Sequence, residues 1–152
     1  IAQDIKMLEQ TGCDLLFLPG VNEIYTSGTQ NLEHYELGYL ETVLEGTYRP
    51  GHFRGVCQVM YRLLSSVEPN HLFLGQKDYQ QCMVIKQLLN ITGKNRLTEL
   101  HVCPTLREAD GLAMSSRNLR LGTEERKKAV SIFETLRLMK EELKTGNLKP
   151  LK

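Results

Sequence analysis

The feature that most constrains the fold is the short apolar run His71-Leu72-Phe73-Leu74, stopped by Gly75 and set between two helical patterns. Upstream of it, Phe53, Val56, Val59, Met60, Leu63, Leu64 and Val67 recur at i, i+3, i+4 spacing, which predicts one amphipathic helix. Arg49-Pro50-Gly51-His52 suits its entrance and Glu68-Pro69-Asn70 its close. Downstream, Asp78-Tyr79-Gln80-Gln81 opens a second helix carrying Met83, Val84, Leu88, Leu89 and Ile91, closed at Gly93. Leu97 to Val102 then reads as another strand, ended by Pro104. Short buried strands alternating with helices predict an α/β chain whose sheet is parallel and doubly wound, with right-handed crossovers. Ligands of such sheets bind beyond the carboxyl ends of the strands. Gly75 to Asp78 and Pro104 to Arg107 both fall at that edge.

The flanking segments extend the pattern. Ile1, Ile5 and Leu8 suit a helix closed by Gly12, and Cys13-Asp14-Leu15-Leu16-Phe17-Leu18, stopped by Pro19-Gly20, reads as a further buried strand. Together they form a βαβ unit without its first strand, so the chain reads as a piece of a longer protein. Residues 21–46 give no clear period. Tyr25-Thr26-Ser27-Gly28 reads as a surface loop and Leu37 to Leu44 as a short helix ending at Gly46. Thr123 is the expected cap of a last helix, from about Glu124 to Lys144, ended by Thr145-Gly146-Asn147. Its stripe of Ala129, Ile132, Phe133, Leu136 and Met139 or Leu143 cannot be buried by one helix alone, so it packs on the preceding domain or opens a second one.

Charge excludes several partners. Nineteen Lys/Arg against eighteen Asp/Glu leave +1, and no strong field argues for nucleic acid or a membrane. Residues 117–152 hold ten basic and five acidic groups, hence +5 against −4 for the rest, but the charges are interspersed as on a solvated helix face. No run approaches membrane-spanning length. Cys13, Cys57, Cys82 and Cys103 form no Cys-x-x-Cys and sit in apolar runs, which predicts buried free thiols of a reduced compartment and no metal among them.

Two segments carry chemistry. In Asp110-Gly111-Leu112-Ala113-Met114-Ser115-Ser116-Arg117-Asn118, two hydroxyls, their backbone N–H groups and a guanidinium fork suit the oxygens of a phosphate chain. A solvated Ser-rich loop is the plain alternative. In Gly75-Gln76-Lys77-Asp78-Tyr79-Gln80-Gln81, glycine permits close approach, Lys77 offers a point charge and the helix start adds N–H donors. Asp78-x-x-Gln81 is equally a capping-box pattern that needs no ligand. His52, in the first turn of its helix, is disfavoured as a cation by the helix dipole and serves either as a packing residue or as a neutral ligand-facing imidazole.

Taken together, Arg-Pro-Gly-His-Phe at 49–53, Gly-Gln-Lys-Asp-Tyr-Gln-Gln at 75–81 and Pro-Thr-Leu-Arg-Glu-Ala-Asp-Gly-Leu-Ala-Met-Ser-Ser-Arg-Asn at 104–118 closely resemble the pantothenate synthetase (pantoate–β-alanine ligase) family, over nearly the whole chain. The resemblance implies a Rossmann-like ATP- and pantoate-binding domain over residues 1–104. It also implies that residues 105–152 supply a phosphate-binding loop and the first helix of a smaller α+β domain. It implies a cytoplasmic enzyme, commonly a homodimer, that uses ATP and Mg²⁺ to convert pantoate to pantoyl adenylate, releasing pyrophosphate. The amine of β-alanine then displaces AMP to give pantothenate.

By motif, Gly75, Gln76, Lys77 and Asp78 would hold ATP, with Lys77 on phosphate and Asp78 near the ribose. Leu106 would meet adenine through its backbone. Met114, Ser115, Ser116 and Arg117 would form the mobile phosphate-binding signature, and Gln81 would bond pantoate. Lys77, Ser115, Ser116 and Arg117 are the expected catalytic groups, with Arg49 and His52 as further candidates at the far wall. The family's His-x-Gly-His signature is absent from these residues, since His34, His52, His71 and His101 form no such motif. The expectation is therefore that this chain alone does not turn over. Other readings stay open: a different nucleotidyltransferase of the superfamily, a non-catalytic nucleotide-binding module, or an interaction fragment without ligand.

Overall fold

A computed structural model describes residues 1–29 and 32–146. Asn147, expected just past the last helix, lies outside the described residues, as does the end of the basic 117–152 segment.

Two five-residue strands, β1 (His71–Gly75) and β2 (Glu99–Cys103), pair in parallel with His71 opposite Glu99 and Gly75 opposite Cys103. The predicted crossover helix between them is α5 (Tyr79–Ile91), entered through a 3₁₀ turn over Gln76–Asp78. Preceding them is α4 (His52–Val67), which packs against α5. One core forms there: Tyr35 and Leu37 close over Phe53 and Cys57 of α4 and over Val84 and Leu88 of α5. The alternation of strand and helix thus gives a mixed α/β chain with a small parallel sheet. Strand β2 starts at Glu99, two residues after the expected Leu97, because a 3₁₀ turn at Lys94–Arg96 still holds Leu97 and Thr98 through the Lys94 carbonyl.

At the amino end, α1 (Ala2–Gln10) closes as expected. Gly12 has φ +76, its N–H reaches the Glu9 carbonyl and the Cys13 N–H reaches that of Leu8, which satisfies carbonyls the helix leaves open. The expected strand at Cys13–Leu18 does not form. Among the described residues it has no neighbouring strand, so its amides find no ladder and Leu15 to Leu18 stay exposed. Cys13 is exposed with it, against the expectation of four buried thiols, whereas Cys57 and Cys82 are buried and Cys103 half-buried.

Beyond α2 (Val21–Ile24), the stretch without clear period becomes a 3₁₀ turn at Gly38–Glu41 and the short α3 (Glu45–Tyr48). Gly46 is required there: a Cβ would fall 2.5 Å from the Glu41 carbonyl oxygen. This segment is tied to α5 from a distance by Gln80. Its Oε1 accepts from the Glu45 N–H at 3.0 Å, and its Nε2 donates to the carbonyls of Leu40 and Val43 at 3.0 and 2.8 Å.

The last helix, α6 (Thr123–Thr145), is capped differently from expectation. Gly122 holds the cap position, with its N–H donating to Glu125 Oε2 at 2.8 Å, and Thr123 is already helical. Most of the α6 stripe is exposed, Ile132 and Leu136 included; Phe133 is the residue that meets the preceding loop.

Candidate functional site

The site is built at the carboxyl ends of β1 and β2, where each strand leaves the sheet. After β1 the chain turns at once through Gln76–Asp78, so Gly75, Gln76, Lys77 and Asp78 are all exposed. Asp78 occupies the cap position of α5 but makes no capping bond with its side chain, so the expected capping box with Gln81 is not formed. Asp78 has ψ +59, outside the extended region a capping residue usually adopts, and its carboxylate makes no capping bond to α5.

After β2, residues 106–114 form a narrow hairpin. Arg107 bridges Ala113, the Met114 N–H donates to the Leu106 carbonyl at 3.0 Å, and the Glu108 N–H donates to that of Leu112 at 2.8 Å. Gly111 turns the hairpin at φ +89, directly under the Phe133 ring, where a Cβ would overlap the aromatic carbons. Asp110 pins the same turn. Its Oδ1 accepts from the Leu112 N–H at 3.1 Å and its Oδ2 from the Arg126 guanidinium at 2.8 and 3.0 Å. The Leu112 amide first, and Arg126 after it, hold the Asp110 carboxyl below the usual carboxylate range. Arg107 donates to the Gly111 carbonyl at 3.0 Å while lying over the Phe133 ring at 4.4 Å.

The hairpin delivers the hydroxyl segment. Ser115 Oγ accepts the Arg117 N–H at 3.2 Å, Asn118 Nδ2 donates to the Ala113 carbonyl at 3.0 Å, and a 3₁₀ turn follows over Ser116–Arg120. Lys77 Nζ reaches across from the other strand end and donates to the Met114 carbonyl at 3.4 Å. Between them opens a cavity of about 370 Å³ whose polar wall is Lys77, Thr105, Arg107, Ser115, Arg117 and Asn118, with the apolar side of α6 opposite. Ser116 and Met114 flank it and are exposed, and Leu106 is exposed at the hairpin's start.

A second cavity, about 590 Å³, lies over α4 and the start of α5. It brings Gln81 and His52 together with Tyr25 and Met60. Tyr25 was expected in a surface loop; Arg62 stacks on its ring at 4.7 Å and holds it in place. Arg49 does not line this cavity, because it pairs with Glu45 one turn away. Sequence alone assigned no role to Arg107, Asn118, Thr105, Tyr25 or Gln80. Arg107 and Asn118 stood within the 104–118 motif and were legible as polar groups there, whereas Tyr25 and Gln80 act through contacts across 35 residues or more, for which no local signal exists.

The Pantoate-beta-alanine ligase family profile matches residues 1–151. The chain belongs to the pantoate–β-alanine ligase family. Among relatives of that family, the pantothenate synthetase of Acetivibrio thermocellus is 44% identical over 146 residues, covering 96% of this chain and 50% of its own length. That of Cytophaga hutchinsonii is 41% identical over 141 residues, covering 93% and 48%. The pantothenate synthetase of Thermus thermophilus superposes with a TM-score of 0.86 at 42% identity, covering 95% of this chain and 51% of that one. The Francisella tularensis pantoate–β-alanine ligase, complexed with beta-gamma ATP and beta-alanine, superposes with a TM-score of 0.78 at 42% identity, covering 90% and 51%. This ligase-family chain therefore spans about half the length of the relatives it matches. No helix among its described residues is long and apolar enough to cross a membrane.

Proposed function

We propose that the chain supplies the ATP-phosphate wall and part of the pantoate pocket of a cytoplasmic, AMP-forming ligase that joins pantoate to β-alanine. The observation that carries this reading is the meeting of Lys77 with the Met114–Asn118 segment in one cavity at the carboxyl ends of two parallel strands.

In this reading the pantoate carboxylate attacks the α-phosphorus of ATP, the bond to pyrophosphate breaks, and pantoyl adenylate forms. The β-alanine amine then attacks the acyl carbon and AMP leaves. A carboxylate is a weak nucleophile, so alignment and neutralisation of the phosphate oxygens supply most of the acceleration. Lys77, Arg107 and Arg117 provide fixed positive charge, and Ser115 and Ser116 provide hydroxyl and amide donors. Gly75 and Gln76 let the backbone approach the nucleotide, Asp78 has its carboxylate free for a ribose hydroxyl, and Leu106 and Met114 offer an apolar seat near the base. Gln81, with His52 across the same cavity, orients pantoate. Arg49, paired with Glu45, would face either pyrophosphate or a partner subunit in a homodimer.

The walls of the phosphate cavity are cationic and hydroxylic and include no carboxylate, which does not fit a protein-held Mg²⁺. Mg²⁺ would arrive on the nucleotide, held by phosphate oxygens and water. The unpaired Cys13–Leu18 segment and the two strands form part of a larger doubly wound, Rossmann-like sheet in this reading. Residues 1–104 make up the nucleotide- and pantoate-binding domain, and 105–152 begin the smaller one. The test is pantoate-dependent AMP release from MgATP and β-alanine by a protein of full family length carrying this sequence. Pantothenate formed in step with AMP supports the ligase. ATP binding with no AMP produced points to the nucleotide-binding module, and AMP- or pyrophosphate-forming activity indifferent to pantoate points to another nucleotidyltransferase.

A further inference from the structure

The parallel register places three metal-ligating side chains on one face of the sheet, at the end of the strands opposite the phosphate cavity. His71 stands opposite Glu99, and His101 is two residues further along β2 on the same face. Their donor atoms converge: His71 Nδ1 lies 2.9 Å from His101 Nε2, and Glu99 Oε2 lies 3.6 Å from the first and 3.7 Å from the second. These three distances define a point about 2.0 Å from every one of the atoms, which is the bond length of Zn²⁺ to imidazole nitrogen and carboxylate oxygen.

The site has support behind it. Phe73 stacks on the His101 ring at 4.7 Å with an interplanar angle of 15°, which limits how that imidazole can rotate. The Glu99 N–H is fixed by the Asn70 carbonyl at 2.8 Å, just ahead of β1, so the two strand starts are locked together. Within this chain the side-chain exposures are 56% for His71, 67% for Glu99 and 34% for His101. The run from His71 to Gly75 covers four steps of a parallel strand, about 13 Å, so an ion here would be remote from the nucleotide cavity.

We propose that His71, Glu99 and His101 form a three-ligand site for a divalent transition metal of the zinc class, with water completing a four-coordinate shell as the ion rises out of the plane of the three donor atoms. Two imidazoles and one carboxylate suit Zn²⁺ and its late first-row neighbours, and disfavour Mg²⁺ and Ca²⁺, which take oxygen ligands. Bound metal would replace the His–His hydrogen bond and tie β1 to β2 at their amino ends.

The test is titration of the chain with Zn²⁺ alone, followed by calorimetry, beside His71→Ala, His101→Ala, Glu99→Gln and the control His34→Ala. One equivalent is expected, with affinity weakened at least ~10-fold by loss of any of the three ligands and unchanged in the control. Millimolar Mg²⁺ should not compete. Far-UV circular dichroism checks the folding of each variant, and the exposed Glu99→Gln keeps the test decisive if a histidine variant does not fold. Co²⁺ substitution gives a second readout: tetrahedral d–d bands without a thiolate charge-transfer band are expected. Absence of stoichiometric binding, equal affinity across all variants, or a thiolate band from Cys13 or Cys103 would overturn the proposal.

Discussion

Lys77 Nζ donates to the Met114 carbonyl oxygen at 3.4 Å, joining two motifs that lie 37 residues apart in the chain. Neither motif alone encloses anything. Lys77 leaves β1 through a 3₁₀ turn, and Met114 is delivered by a hairpin that starts three residues after β2 ends. Parallel pairing of the two strands is what brings their carboxyl ends side by side.

The hairpin depends on Gly111. Its φ of +89 and its seat under Phe133 leave no room for a methyl group. Gly111→Ala is expected to destabilise the hairpin and its contact with α6 by roughly 1–3 kcal/mol. Thermal unfolding of the variant checks this, and Gly111→Ala combined with Phe133→Ala should recover only the steric share of the loss.

Asp110 makes the same hairpin sensitive to acid. Its carboxyl is held below the ordinary value of 3.8, so its stabilising contribution is fully present above that value. The contribution is lost as pH falls through the lower native value. As pH falls below 3.8, the wild type should loosen the hairpin–α6 contact in step with protonation. Asp110→Asn should show a flatter acid limb, followed by amide exchange of the Leu112 N–H.

Gln80 is the remote tie. Its one carboxamide serves the Glu45 N–H and the carbonyls of Leu40 and Val43. Gln80→Ala is expected to cost roughly 1–3 kcal/mol in urea unfolding. It should also weaken pantoate binding, since the freed segment leads directly to His52. Gln80→Glu keeps the acceptor but sets a carboxylate oxygen against the Leu40 and Val43 carbonyls, and should cost at least as much as Gln80→Ala.

The helices α4 and α5 were legible because their cores are local: Phe53 and Leu64, or Val84 and Leu88, declare themselves by spacing alone. The stripe overstates burial at Val59 and Val67, both partly exposed, since Val59 faces the cavity that holds Gln81. It also misses Gln58, which is buried and bonds Arg62 through its Oε1 at 2.7 Å. Residues 38–46 were not legible because their order comes from Gln80 and from Gly46 packing on Glu41, not from any periodicity. The two polar motifs were legible as loops following the strands. Their meeting, like the meeting of His71 with His101, needs the strand register, which no local pattern specifies.

The thiols should react in order of access. Burial pushes Cys57 up to about 11 and raises Cys82 as well, while Cys13 is exposed. A thiol-reactive dye at pH 8 should label Cys13 first and Cys103 next, with Cys57 and Cys82 labelled only on unfolding; peptide mass analysis reads the sites.

The central claim is that Lys77 and the Met114–Arg117 segment hold the phosphates of ATP as charge redistributes during adenylate formation. It is tested most directly by pantoate-dependent exchange between ATP and pyrophosphate in a protein of full family length, comparing wild type with Lys77→Ala. A charge that acts on the transition state predicts an exchange rate lower by ~10²-fold or more, with adenosine affinity little changed. An unchanged rate, with only a higher requirement for ATP or none at all, would contradict it and leave Lys77 a uniform binder or a surface lysine.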